Sequence, residues 1–212
     1  MAYDLEEQEQ IEALKGWWKQ NGKLVIVAVL AACVAFAAVT GWRWHKERQG
    51  DEAAQLYGEL ERAMQASDAK KVAETSARIM DQYSGTAYGA MAALVAAKSS
   101  FDAGDLKTAG ARLAWAVDHA RDEETRAAAR LRLAGVRLDE KQYDEALRLL
   151  DEKHPESFDG LYADLRGDVL VAQGKLPEAR AAYKLALDKL APEATYRLIV
   201  QVKLDGIGGG VN

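Results

Sequence analysis

The chain has one cysteine, three prolines and three histidines in 212 residues, and each scarcity closes off a class of protein. Cys33 is the lone thiol and lies inside an apolar run, so the polar remainder has neither a disulfide frame nor a thiolate zinc site. That absence is compatible with an oxidising compartment without requiring one. Pro155, Pro177 and Pro192 leave long stretches free of helix breakers. His45, His119 and His154 are far apart and lack any H-E-x-x-H spacing, so each reads as a surface histidine. The net charge is −5 and no basic patch is visible, which argues against nucleic acid as a partner. Convincing period-two strand patterns are missing too.

What the sequence does have is 19 uncharged residues in a row, Leu24 to Trp42, reading LVIVAVLAACVAFAAVTGW between Lys23 and Arg43. As a helix this run spans about 28 Å, close to the thickness of a bilayer's hydrocarbon core. Its leucines, isoleucine, valines and phenylalanine favour insertion by about 3 to 5 kcal/mol. Trp17 and Trp18 precede the run, and Trp42 and Trp44 close it, where an interfacial aromatic belt would lie. Two competing readings exist. Ala35-Phe36-Ala37 fits a signal-cleavage pattern, but a signal n-region is short and basic. Here 23 residues precede the run, including Asp4, Glu6, Glu7, Glu9 and Glu12. A buried core helix is the other competitor, disfavoured by apolarity on all sides. Charge counting leaves the orientation open. Lys15, Lys19 and Lys23 flank one end, and Arg43, Lys46 and Arg48 the other.

Ahead of the run, Ile11, Leu14 and Trp18 keep helical spacing. The stretch from Leu5 to Trp18 is therefore either an amphipathic helix at the membrane surface or a frayed acidic tail. After the run, Ala53, Tyr57, Leu60 and Met64 form one apolar helical stripe, broken at Ser67-Asp68. Helices are then predicted over 70–83, 88–103, 106–120, 123–138, 143–152, 160–173 and 177–190, with a last one reaching about Leu204. Pro177 suits the first turn of its helix.

The turns between these helices repeat. Gly104-Asp105-Leu106-Lys107-Thr108-Ala109 matches Lys141-Gln142-Tyr143-Asp144-Glu145-Ala146 and Gly174-Lys175-Leu176-Pro177-Glu178-Ala179. Ala109, Ala146 and Ala179 stand 37 and then 33 residues apart, and Lys70-Lys71-Val72-Ala73 reads as a degenerate earlier copy. Large residues follow four positions later, at Leu113, Leu150 and Tyr183. A period of about 34 built on helix–turn–helix units is the tetratricopeptide pattern. The usual Trp, Gly and Tyr of the first helix are mostly absent, Gly167 excepted, so a generic array of helical hairpins remains the alternative. The expected fold class is all-α: one N-terminal transmembrane helix followed by a tetratricopeptide-like α-hairpin solenoid. The expected parts are a short acidic tail (1–23), the membrane helix (24–44), the helical domain (45–205) and a flexible Gly-rich end (206–212).

Helical repeats stack into curved arrays whose concave surface binds peptides or helices. Aligning on the alanines puts Met91, Leu94, Lys98 and Phe101 on that surface from one unit. Ala128, Leu131 and Leu138 come from the next, and Leu161, Asp164, Asp168 and Val171 from the third. Core packing of the leucines and Phe101 is the competing reading. Asp164 and Asp168, four apart on one helix, read as a solvated face, because an acid/base pair needs facing carboxylates with separated pKa values. Gly208-Gly209-Gly210 has neither a preceding strand nor a following Lys-Ser/Thr, so it is no phosphate loop. Catalytic, cofactor and metal residues are expected to be none.

Several specific stretches carry a resemblance. They are Asn21-Gly22-Lys23 entering the run, Gly41-Trp42-Arg43 leaving it, Tyr88-Gly89-Ala90, Leu131-Arg132-Leu133-Ala134 and Ala163-Asp164-Leu165-Arg166-Gly167. In these residues and in their order the chain resembles the YfgM family, bitopic inner-membrane proteins with a tetratricopeptide domain that act as ancillary subunits of the SecYEG translocon. The resemblance implies a cytoplasmic N-terminus and a periplasmic repeat domain in the bacterial inner membrane. It also implies association with SecYEG, with a PpiD-like membrane chaperone and with exported or periplasmic proteins passing to chaperones. A periplasmic scaffold for envelope assembly or cell division is the alternative function.

Overall fold

The computed structural model of the protein describes residues 2–208, with side chains from Gln10 onward. The chain forms two compact units, Met1–Arg48 and Gln49–Asn212. Helix α1 runs from Ala2 to Gln65. Among the described residues eight further α-helices follow: α2 (Ala69–Gln82), α3 (Ala87–Asp102), α4 (Leu106–His119), α5 (Glu123–Asp139), α6 (Tyr143–Asp151), α7 (Asp159–Ala172), α8 (Leu176–Lys189) and α9 (Tyr196–Gly206). A single 3₁₀ turn, Glu156–Phe158, precedes α7. No strand occurs among the described residues, and the fold is the expected all-α array.

The first unit is helical throughout its described length, so the stretch from Leu5 to Trp18 is helix and runs without a break into the apolar run. α1 contains a stretch long and apolar enough to cross a membrane, and none of that stretch is buried against protein. Leu24, Leu30 and Phe36 are all exposed, unlike the side chains of a core helix. Beyond the run, Lys46 Nζ lies 3.8 Å from the Trp42 ring centroid and the Arg48 guanidinium 5.8 Å from that of Trp44. These cation–π pairs keep both indoles beside charge at the end of the apolar segment.

In the second unit, several helix starts are built from local sequence. Asp68, Asp105 and Asp122 cap α2, α4 and α5 by accepting hydrogen bonds from the backbone N–H of Lys71 (3.0 Å), Thr108 (3.0 Å) and Thr125 (2.6 Å). Pro177 sits in the first turn of α8, as expected. Among the described residues, five have positive φ: Ser67 (54°), Gly104 (77°), Lys141 (60°), Gly174 (77°) and Gly208 (74°). The first four close one helix just before the next begins. Their spacing turns the repeat into a ruler: positions in α1, α3, α5, α7 and α9 can be counted back from these turn residues.

Packing follows the same ruler. Leu56, Leu60 and Ala63 of α1 meet Val72 and Ile79 of α2 and Ala92 of α3. A larger cluster joins Leu113 and Ala109 of α4 to Leu133, Ala134 and Val136 of α5, Leu149 and Leu150 of α6, and Tyr162 and Val169 of α7. The third joins Ala163 of α7, Tyr183 and Ala186 of α8, and Val200 and Leu204 of α9. Gly167 lets α7 and α8 approach: a Cβ there would lie 2.3 Å from the Tyr183 ring. At the expected flexible end, 206–212, the described residues reach Gly208. Gly206 closes α9 and Gly208 forms the fifth left-handed turn, while 209–212 lie outside the described residues.

Candidate functional site

The first helices of successive hairpins stack side by side, and the ruler shows how. Ten residues before the turn stand Tyr57, Leu94, Leu131, Asp164 and Leu198. Each of the first four is covered by the next first helix. Tyr57 packs on α3, its ring centroid 5.4 Å from that of Tyr88. Leu94 packs in the clusters that hold Ala129 and Val136 of α5. Leu131 packs in the cluster that holds Tyr162 and Val169 of α7. In α5 and α7 the covering residues lie twelve and five positions before their own turn, seven residues or about two helical turns apart.

Asp164 occupies the same slot and is 2% exposed. It is covered by the equivalent pair in α9. Tyr196 Oη donates to it at 2.5 Å, and Lys203 Nζ donates to both its oxygens at 2.9 and 2.8 Å. Lys203 also donates to Asp168 at 2.8 Å, and Tyr183 Oη donates to Asp168 at 2.7 Å. Burial pushes up the phenols of Tyr183 and Tyr196, and their hydrogen bonds to the two carboxylates add to it. Burial also opposes the Lys203 charge, but its hydrogen bonds to Asp164 and Asp168 outweigh that and hold the ammonium above its ordinary value.

The solvated-face expectation for Asp164 and Asp168 is therefore wrong. Both carboxylates are taken up in an ionic cluster that fastens α9, and neither lines an open surface. Lys203, Tyr196 and Tyr183 were not anticipated. A usable signal was present: on the repeat register Asp164 falls where the half-buried Leu94 and Leu131 stand, a slot that the next first helix covers, and Lys203 falls where Val136 and Val169 stand.

The other anticipated lining residues divide. Lys98, Phe101 and Leu138 come together along a groove of about 400 Å³ between α3 and α5. Its apolar floor is Ala97, Leu113, Val136 and Leu165, and Arg132 and Asp139 sit at the rim. Lys98 pairs with Asp102 at 2.8 Å, one helical turn on. Phe101 is 44% exposed, unlike a core residue of its size. A second groove, of about 460 Å³, is lined by Met64, Val72 and Val95 and shares Lys98 and Asp102 with the first. Met91 is exposed and lies outside both grooves. Leu94 and Leu131 pack into the core, as the competing reading had it, and Val171 packs against the α7–α9 cluster. Leu161 and Ala128 are half-buried and line neither groove.

His154 is also corrected. It is not a free surface histidine: its ring stacks on Tyr162 at 3.8 Å, and Nε2 lies 3.4 Å from Asp159. His119 stacks on Trp115 at 3.9 Å. Among the described residues no group of histidine, cysteine or carboxylate side chains is arranged to hold a metal ion. What the grooves can offer chemically is an apolar strip edged by fixed charge, suited to holding a polypeptide segment.

A family model described as a tetratricopeptide repeat-like domain matches residues 15–209. The chain is 31% identical over 208 residues to the ancillary SecYEG translocon subunit of Neisseria gonorrhoeae, covering 98% of this chain and all of that one. It is 34% identical over 189 residues to the protein of the same name from Haemophilus influenzae, covering 88% and 91%. It is 31% identical over 202 residues to that of Escherichia coli K12, covering 95% and 96%. The chain thus belongs to the tetratricopeptide repeat-like family whose members include these ancillary SecYEG translocon subunits.

Proposed function

We propose that the protein is a non-catalytic, membrane-anchored interaction subunit of the SecYEG translocon that helps hand newly exported proteins to periplasmic chaperones. In this reading α1 crosses the bacterial inner membrane once, with residues 1–23 cytoplasmic, 24–44 in the bilayer and 45–205 in the periplasm. The observation that carries it is the pair of adjoining grooves, which expose Phe101 and Met64 beside charged rims. Such a surface holds an extended or helical segment weakly, through apolar contact with few directional bonds. Weak holding suits transfer, since a tightly bound client would not move on to a PpiD-like chaperone.

Photo-crosslinking in cells from Phe101 and Leu138 tests this. The expected products are exported polypeptides in transit, SecYEG subunits or a PpiD-like chaperone, with signal lost in Phe101→Asp. Products confined to peptidoglycan synthases, together with septal localisation, would instead support the envelope-scaffold alternative. Labelling a cysteine placed at Met91, in a Cys33→Ala background, with a membrane-impermeant maleimide tests orientation. Intact spheroplasts should label fully, and protection until lysis would reverse the topology.

A further inference from the structure

The outer face of α9 continues the stacking register and is uncovered. Leu198 and Val202 stand ten and six residues before Gly208, the positions held by Leu94 and Lys98 in α3 and by Asp164 and Asp168 in α7. Leu198 is 69% exposed, Val202 63% and Ile199, beside them, 50%. The polarity of α9 is thus inverted, with Lys203 directed inward to Asp164 and three aliphatic side chains directed outward. We propose that this face is a docking site for a single α-helix of a partner protein, laid parallel to α9. That helix carries an apolar side chain at each of two positions seven residues apart.

Continuity with the internal junctions supplies the occupant. Ala129 with Val136 of α5, and Tyr162 with Val169 of α7, are the covering pairs at the α3–α5 and α5–α7 junctions, each spaced by seven. A second copy of this chain cannot continue the register head to tail. The corresponding residues of α1 are Gln55 and Arg62, both exposed, and Arg62 Nε is engaged with the Gly58 carbonyl. A two-fold pairing of α9 with itself would offer Leu198 and Val202, four residues apart, where the covering pairs of the internal junctions stand seven apart. A lipid surface is also disfavoured, because membrane-surface helices flank their apolar face with Lys or Arg. Here Arg197 donates to the carbonyls of Leu187 and Leu190, Lys203 points inward, and the exposed charges nearby are Glu193 and Asp205.

The test uses full-length protein in nanodiscs, labelled at the Leu, Ile and Val methyls, and a hydrocarbon-stapled peptide copying 159–172. That peptide contains the Tyr162 and Val169 pair. The expected result is saturable methyl shifts at Leu198, Ile199 and Val202, with affinity falling at least tenfold for Val202→Lys. The same fall is expected for a peptide carrying Val169→Lys. Absence of shifts at millimolar peptide overturns the proposal, as do shifts confined to the α3–α5 groove. Shifts at Leu198 that depend on protein concentration without peptide would assign the face to a second copy. Broadening of those methyls by a spin-labelled lipid would assign it to the bilayer. Either result also overturns the proposal.

Discussion

The α5–α7 junction and the α7–α9 junction use the same positions of the repeat and fill them with opposite chemistry. At the first, Leu131 is covered by Tyr162 and Val169. At the second, Asp164 is covered by Tyr196 and Lys203. The geometry of stacking is therefore set by the register and by the turns at Gly104, Lys141 and Gly174, not by the identity of the covered side chain. What the chemistry changes is the way each junction fails. An apolar junction loses contact area gradually. A buried ionic junction is sensitive to the loss of any one member, since the charge left behind has no water to turn to.

The largest effect should come from breaking that asymmetry directly. Lys203→Met leaves Asp164 buried with only Tyr196 as donor, and should cost about 3 kcal/mol or more. It should show as a lower urea midpoint for the full chain in detergent micelles and as early loss of amide protection in α9. The double variant Asp164→Leu/Lys203→Val rebuilds the junction on the α5–α7 pattern. It should return to within about 1 kcal/mol of the parent, because well-packed apolar residues commonly replace a buried ion pair at no net loss. A double variant no better than Lys203→Met would show that the two junctions are not interchangeable. An intermediate effect is expected from Gly167→Ala, whose Cβ would collide with the Tyr183 ring at 2.3 Å. Overpacking of this kind costs about 1–3 kcal/mol. It also displaces the hydroxyl that donates to Asp168, so the loss should be smaller in a Gly167→Ala/Tyr183→Leu background.

The same comparison shows what the sequence carries openly and what it hides. The hairpins were legible because their turns repeat as near-copies, and helices α2 to α8 each begin within one residue of the expected start. The apolar run from Leu24 to Trp42 was legible because nothing else in the chain is like it. Only part of the groove lining was legible, through Lys98, Phe101 and Leu138. Leu94 and Leu131 were misplaced because a position lining the surface of one isolated hairpin is the stacking position once another hairpin follows. Asp164 and Asp168 were misread for a related reason. Two carboxylates four apart look the same whether they face water or a lysine 35 and 39 residues further on. Composition is blind to that difference, and only the register exposes it.

Alkaline pH should separate the junctions next. Tyr183, Tyr196 and Lys203 all have raised pKa values in the folded chain. For a group raised on folding, the stabilisation is complete below its unfolded pKa and is lost as pH climbs through the folded value. The unfolded values are about 10 for tyrosine and 10.4 for lysine. The contribution of the α7–α9 junction should thus be intact at neutral pH and decline above about pH 10. The α5–α7 junction, whose Tyr162 is the one titrating group at the stacking face, should decline less. Urea midpoints measured at pH 8 and pH 11 check this. The parent should lose more than Asp164→Leu/Lys203→Val, and equal losses would mean that the cluster contributes nothing pH-dependent.

The smallest effect lies at the opposite end of the pH scale and away from both junctions. Asp122 accepts hydrogen bonds from Thr125, first from its backbone N–H, and these hold its carboxyl below the ordinary value. Asp105 is lowered too, by Thr108, there first through the side-chain hydrogen bond and then through the backbone N–H. For groups depressed on folding the sign reverses: the stabilisation is present above the unfolded pKa of about 3.9 and is lost as pH falls through the folded value. Asp122→Ala removes one cap from an exposed helix start and should cost about 1 kcal/mol at pH 7. Its difference from the parent should shrink as pH drops below about 4, because the parent's cap is then protonated too. At pH 11 the same variant should lose no more than the parent does, since the cap carries no group that titrates there. A cap variant that shifted the alkaline loss would mean that the start of α5 and the α7–α9 cluster are coupled through the stacked helices, and the junctions would have to be treated as one cooperative block.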